Sequence, residues 1–153
     1  MIRVLFICLG NICRSPMAEG VFLHLVKAAG LEEEITADSA GTGHWHLGEN
    51  PHHGTQRILA KNAILYAHRS RQISSQDFGA FEYFIVMDNM NLKDVLALGA
   101  SDAKVSRLLD YTVHTGVAEV PDPYYTDGFE EVYRLVTAGC EGLLAHIRAK
   151  HAL

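Results

Sequence analysis

A short apolar run, Val4 to Ile7, passes without a break into Cys8-Leu9-Gly10-Asn11-Ile12-Cys13-Arg14-Ser15, and from there into a helix-period segment, Pro16 to Ala29. This junction constrains the chain more than any other stretch. A loop joining the carboxyl end of a strand to a helix N-terminus turns successive backbone N–H groups into one concavity, and the helix dipole adds partial positive charge there. A thiol at the bottom of such a nest and a guanidinium at its end make an oxyanion receptor with a nucleophile built in. A buried strand feeding a helix in this way also points to one class of architecture, the alternating α/β sheet.

The rest of the chain repeats the alternation. Ile2 to Ile7 reads as a buried strand, and Met17, Ala18, Val21, Phe22, Leu25 and Val26 form an apolar stripe at helical spacing. Pro16 suits the first helical turn and Gly30 the stop. Further strands are expected over Ile35 to Ser39, Tyr83 to Met87 and Lys104 to Leu108. A second helix is expected from Asn50-Pro51 to about Asn62, and another, capped by Asp88 or Asn89, through Leu92, Val95 and Leu96. Tyr111 to Tyr125 reads as a loop. Asp127 and Glu130 resemble a capping pair for a last helix with the stripe Phe129, Val132, Tyr133, Val136, Cys140, Leu143, Leu144 and Ile147. The expectation is one three-layer α/β domain over residues 1–153, a four-stranded parallel sheet with helices on both faces and an anion-binding loop after the first strand. Ligands of such sheets bind beyond the carboxyl ends of the strands, where Cys8 lies.

Composition narrows the function classes. With 153 residues and 48% hydrophobic content the chain has material for a real core. A formal net charge of −5 argues against bulk nucleic-acid affinity, which needs clustered Lys and Arg. Three cysteines are too few and too oddly placed for a disulfide framework, so a reducing compartment is expected. The first apolar run is too short for a signal-peptide core and no stretch approaches a membrane span. A cytoplasmic monomer is the expectation.

The chemistry centres on Cys8. Only the thiolate attacks well, and the N–H nest, the helix dipole and Arg14 should all stabilise it. Arg14 offers a planar fork that can grip two phosphoryl oxygens at once. Ser15, with its hydroxyl near the thiol, suits stabilisation of a departing thiolate. The nucleotide-binding pattern GxxxxGK[ST] is absent, since Gly10 stands alone and no Lys follows, and there is no Cys-x-x-Cys. Asp122 sits between Pro121 and Pro123, in a stiff loop able to hold a carboxyl group over a pocket, although Asp-Pro pairs commonly form simple Asx turns. Asn11 tolerates a left-handed backbone better than most residues, and Gly10 permits close backbone approach. Trp45, Tyr124 and Tyr125 read as an aromatic rim for a phenyl ring. His44, His46, His52 and His53 invite a metal reading, but the Gly48, Asn50 and Pro51 among them suggest an exposed loop that tunes charge with pH.

Ile7-Cys8-Leu9-Gly10-Asn11-Ile12-Cys13-Arg14-Ser15-Pro16-Met17-Ala18-Glu19, followed in order by Asp38-Ser39-Ala40-Gly41-Thr42 and Asp122-Pro123-Tyr124-Tyr125, resembles the low-molecular-weight protein tyrosine phosphatases. The likeness runs from Val4 to about Ile147. It implies hydrolysis of phosphotyrosine or another aryl phosphate through a phosphocysteine on Cys8. Leu9 to Ser15 would bind the phosphate, with Arg14, and Asp122 would serve as acid and then base. The resemblance further implies that Asn11, Ser39 and His68 form a supporting network with Ser15, and that Cys13 forms a reversible disulfide with Cys8 that shields it from oxidation. No metal or cofactor is implied. The chain departs from the family at Asn62-Ala63-Ile64, where a His-Gly pair is common, which leaves the end of the second helix open.

Three other readings share the scaffold. Arsenate reductases of this fold need two further cysteines, and Ser74 to Ala103 contains none. Protein-arginine phosphatases usually carry Thr where Ile12 stands and lack the Tyr124-Tyr125 pair. A phosphopeptide-binding module would be attractive if Cys8, Arg14 or Asp122 were missing, and all three are present.

Overall fold

The computed structural model describes residues 1–153, and its organising element is β1 (Ile2–Cys8). This strand lies between β2 (Ile35–Gly41) and β3 (Tyr83–Val86), and β4 (Val105–Arg107) pairs with β3. All the pairings are parallel, in the order β2-β1-β3-β4, as expected from the alternation. The chain moves from β1 to β2 on one side and then to β3 on the other. The crevice at a parallel sheet's carboxyl edge opens where the order reverses in this way, and Cys8 ends the strand at that point.

Side chains of β1 alternate between two cores. Val4, Phe6 and Cys8 join the larger one, with α1 (Arg14–Ala28), α2 (His53–Lys61) and the long α6 (Phe129–His151). Leu5 and Ile7 join the smaller one, with Phe84, Val86 and Val95 of α4 (Asn89–Ala97), against which Phe78 of α3 (Asp77–Ala80) packs. This period-two division is why the strand reads as continuously apolar: both of its faces are covered. Each fully buried Phe, Leu or Ile of these layers stabilises the fold by about 1.5–3 kcal/mol. The α6 stripe buries as its spacing foretold, except that Tyr133 is half-buried, while Leu135 and Gly139 join the buried set. The helix runs so close to the 3-10 turn Leu108–Tyr111 that a Cβ on Gly142 would stand 2.0 Å from the Tyr111 carbonyl oxygen.

Several boundaries differ from expectation. Helix α1 starts at Arg14, because the loop's last residues already take the helical turn, with Cys13 as N-cap. Helix α2 starts only at His53: His52 is extended, its amide donates to the Ile12 carbonyl (2.7 Å), and its ring accepts from Gly54 N–H (3.0 Å). The stretch expected as a loop up to Tyr125 contains one helical turn, α5 (Pro123–Thr126), capped by the Asp122 side chain. Asp127 does not cap α6. It closes α5 in a left-handed conformation (φ 60°), Gly128 takes the N-cap place, and Glu130 instead pairs with Lys61 at 2.8 Å. After α2, Ala63 occupies a left-handed position (φ 59°) that strains any residue with a Cβ.

Candidate active site

The loop from Leu9 to Cys13 curls over the carboxyl end of β1 and delivers Cys8 and Arg14 to a cavity of about 460 Å³. Leu9, Gly10, Ile12 and Cys13 also line it, and Asp122, Trp45, Tyr124 and Tyr125 close it from the rim. The sequence placed all of these in the site. Asn11 and Ser15 are absent from the lining because both are fully buried beneath the loop.

Their contacts order the polar groups around Cys8. Asn11 takes the left-handed backbone (φ 56°) anticipated for it. The Arg71 backbone N–H, which can only donate, lies 3.1 Å from Asn11 Oδ1, so that atom is the oxygen and the amide orientation is settled. The Asn11 amide then donates to Ser15 Oγ (2.8 Å) and Ser39 Oγ (3.0 Å). Ser39 Oγ donates to Glu19 Oε1 (2.7 Å), and Ser15 Oγ lies 3.0 Å from Cys8 Sγ, free to donate to it when the sulfur is a thiolate. Asn11 N–H donates to the same sulfur at 3.3 Å. His68 Nε2, 2.8 Å from Asn11 Oδ1, must carry hydrogen, and burial lowers the pKa of this imidazole, which keeps it neutral. His68 is therefore part of the support and not a surface histidine.

Glu19, Tyr66, Asp38 and Arg71 complete the network, and sequence reasoning missed their part in it. Glu19 lies inside α1 and takes a second hydroxyl donor from Tyr66 (2.6 Å). Burial pushes its carboxyl up to about 7, against the opposing effect of the two hydroxyl donors. Arg71 pairs with Asp38 (3.0 Å) and Asp77 (3.1 Å). The one signal available was a Glu at a helical position flanked by apolar residues of the buried stripe. Glu19, Asp38 and His68 hold ligand-type atoms within 4.8 Å of one another. Those of Glu19 and Asp38 are already engaged by the hydroxyls and Arg71, which makes the cluster a polar support. The four rim histidines do not converge either. His44 stacks on Trp45, His46 Nδ1 bonds Glu49 (3.0 Å), and His52 caps α2 and stacks with His53. His46 lines the pocket, a wall residue that the sequence did not assign.

Arg14 is 3% exposed and held from behind. Its Nη1 donates to Asp88 Oδ2 at 2.6 Å and to the Val120 carbonyl at 3.1 Å, while Nη2 lies 3.6 Å from Asp122 Oδ2. Burial opposes its charge, yet Cys8, Asp88 and Asp122 more than offset this, and the guanidinium is held charged. Asp88 was read only as a helix cap; it does cap α4, through Asn91 N–H (2.8 Å), and anchors Arg14 with its other oxygen. Arg14 Nε is buried with no acceptor in the protein. A buried charged donor without a partner is costly.

Asp122 meets both of its sequence readings. Oδ1 accepts from Tyr124 N–H (3.1 Å) in the ordinary Asx manner, and this fixes the carboxyl so that Oδ2 faces Arg14. Cys13 lines the same pocket as Cys8, and burial, followed by the Cys8 and Asp122 charges, pushes its thiol up to about 12. It stays protonated beside the nucleophile at neutral pH. Cys140 lies fully buried in the core, where its sulfur touches the Ala18 carbonyl.

Comparison with known proteins agrees with this geometry. A phosphatase of Bacillus subtilis, YfkJ, is 49% identical over 156 aligned residues, covering 100% of both chains. Its crystal structure superposes with a TM-score of 0.96 over 98% of this chain and 96% of its own, at 50% identity. A low-molecular-weight phosphotyrosine protein phosphatase of Schizosaccharomyces pombe is 47% identical over 138 residues, 86% of this chain and 88% of its own. The crystal structure of a Drosophila arginine phosphatase also matches, with a TM-score of 0.90 at 34% identity over 96% of this chain and 98% of that one. The family model described as low molecular weight phosphotyrosine protein phosphatase matches residues 3–153. The chain belongs to that family.

Proposed function

We propose that this protein is a metal-independent protein tyrosine phosphatase, one catalytic domain spanning residues 1–153, that hydrolyses phosphotyrosine or a related aryl phosphate through a phosphocysteine. One observation carries the reading: Cys8, Arg14 and Asp122 share a cavity walled by Trp45, Tyr124 and Tyr125. Arg14 and the loop N–H groups hold the three non-bridging phosphoryl oxygens. The Cys8 thiolate forms the S–P bond as the P–O bond to the aryl group breaks, and Asp122 gives its proton to the departing phenolic oxygen. Water then attacks phosphorus, Asp122 takes the water's proton, and the S–P bond breaks to return the thiolate. Ser15 donates to that sulfur as it leaves. Charge on the phosphoryl oxygens is matched throughout by fixed donors, so positioning and electrostatics supply most of the rate.

Turnover of p-nitrophenyl phosphate, measured with EDTA and dithiothreitol present, tests this. Cys8→Ser abolishes it, and EDTA leaves it intact; absence of turnover in folded, reduced protein refutes the assignment. The arginine-phosphatase reading is favoured by one neighbour's fold, but here Ile12 offers the pocket an aliphatic wall with no hydroxyl to receive a guanidinium. A phosphoarginine peptide should therefore be hydrolysed far more slowly than its phosphotyrosine counterpart. No helix is long and apolar enough to cross a membrane, and all three cysteines are unpaired. These facts support a reducing, cytoplasmic setting, and a pocket complete within one chain supports action as a monomer.

A further inference from the structure

We propose that the groove between Trp45 and α4 is a subsite for a lysine or arginine side chain flanking the phosphotyrosine of a protein substrate, a reading that rests on the phosphatase activity proposed above. A second cavity, of about 340 Å³, adjoins the catalytic one, and the two share Leu9 and Trp45 as walls. Its far side is formed by Asp94 and Ala97 of α4 and by Leu98, which caps that helix. In this binding mode a peptide whose phosphotyrosine fills the first cavity runs over the shared Trp45 wall, which brings a neighbouring side chain to the second.

Trp45 is built to stay in place. It is 64% exposed, yet a Cβ on Gly43 would stand 1.9 Å from its ring, so the indole lies directly on backbone that only glycine leaves open. His44 stacks on the indole with ring centroids 5.5 Å apart and 14° between planes. An exposed aromatic ring fixed in advance loses little entropy when a ligand covers it.

Charge selects the occupant. Asp94 takes part in none of the molecule's ion pairs. Lys93 is its helix neighbour, and adjacent helical residues do not face each other. An apolar side chain in the groove would strip water from the Asp94 carboxylate without replacing it. A glutamate would meet like charge. A lysine or arginine fits both demands, with its aliphatic stem on Leu98 and Ala97 and its cationic head at Asp94.

The test uses phosphotyrosine peptides of alanine background, with a single Arg, Ala or Glu walked through about three positions on either side of the phosphotyrosine, roughly 10 Å of extended chain. At one flank Arg should exceed Ala by about 3- to 10-fold in kcat/KM, chiefly through KM, and added salt should shrink the gap. Asp94→Asn should erase the Arg preference, and Asp94→Lys should invert it toward Glu. Absence of a preferred position, or an Arg preference that survives Asp94→Asn, overturns the groove while leaving the phosphatase intact. Failure to hydrolyse even the all-alanine peptide or p-nitrophenyl phosphate overturns the phosphatase reading, and the groove with it.

Discussion

Asp88 offers the sharpest test of how the fold holds its phosphate-binding guanidinium. Its two oxygens do different work, with Oδ2 on Arg14 at 2.6 Å and Oδ1 on the Asn91 amide at 2.8 Å. Asp88→Asn keeps the shape but supplies only one acceptor. If the amide oxygen stays on Asn91, the new NH₂ faces the Arg14 donor, and a charge-assisted bond to a buried cation is lost, about 1.5–3 kcal/mol. If the amide flips to serve Arg14, the helix cap is lost instead, about 0.5–2 kcal/mol of stability. The second arrangement is expected to prevail, because the bond to the buried charge is the stronger of the two. Arg14 then keeps the Val120 carbonyl and a neutral amide acceptor in place of the carboxylate, about 1 kcal/mol weaker, so kcat/KM for p-nitrophenyl phosphate should fall about 3- to 10-fold. Affinity for inorganic phosphate as a competitive inhibitor should weaken in parallel, and loss of the helix cap should lower the melting temperature by about 1–8 °C. In an Arg14→Lys background the same substitution should cost little, since a lysine lacks the planar fork that Asp88 orients. Asp88→Asn retaining kcat/KM within about twofold would refute the reasoning, as would the same loss in both backgrounds.

Other perturbations check separate links. Asp122→Asn should slow hydrolysis of phenyl phosphate by about 10²- to 10⁴-fold and that of p-nitrophenyl phosphate less, because the poorer leaving group needs its proton more; equal losses on both would remove Asp122 as the acid. Glu19 is raised in the folded state, so the fold binds its proton more tightly than the unfolded chain between about pH 4.5 and 7, and its contribution to stability falls as pH rises through that window. Glu19→Gln keeps the acceptor for Ser39 and Tyr66 but cannot ionise, so it should gain on wild type by up to about 3 kcal/mol between pH 5 and 7.5 in denaturant melts. Parallel curves would contradict this. Ala63→Gly relieves the left-handed strain after α2 and should raise stability by about 0.5–1 kcal/mol, roughly 2–4 °C in Tm, without altering turnover. Peroxide-inactivated enzyme should recover with dithiothreitol through a Cys8–Cys13 disulfide, and Cys13→Ser should recover poorly; equal recovery in both would dismiss the protective role.

What the sequence determined by itself was local or periodic. The apolar run of β1, the helix stripe after Pro16 and the strand-helix alternation give a parallel sheet because each depends on side chains a few residues apart. The loop joining β1 to α1 forces Cys8, the N–H nest and Arg14 together for the same reason, and the left-handed Asn11 was legible from its residue type. Tertiary structure alone decided the rest. Nothing in the chain says that Asp88, 74 residues from Arg14, would divide its oxygens between a helix cap and the guanidinium, or that Glu19 would sit under Ser39 and Tyr66. The expected Asp127–Glu130 cap failed because Pro123 at the first position of a helical turn used Asp127 to end that turn. Ala63, where glycine would relax, shows packing overriding local preference. Pairings set by closure of the sheet carry no short-range signature, because any carboxylate or hydroxyl of suitable length reads the same in sequence until the fold brings its partner within 3 Å.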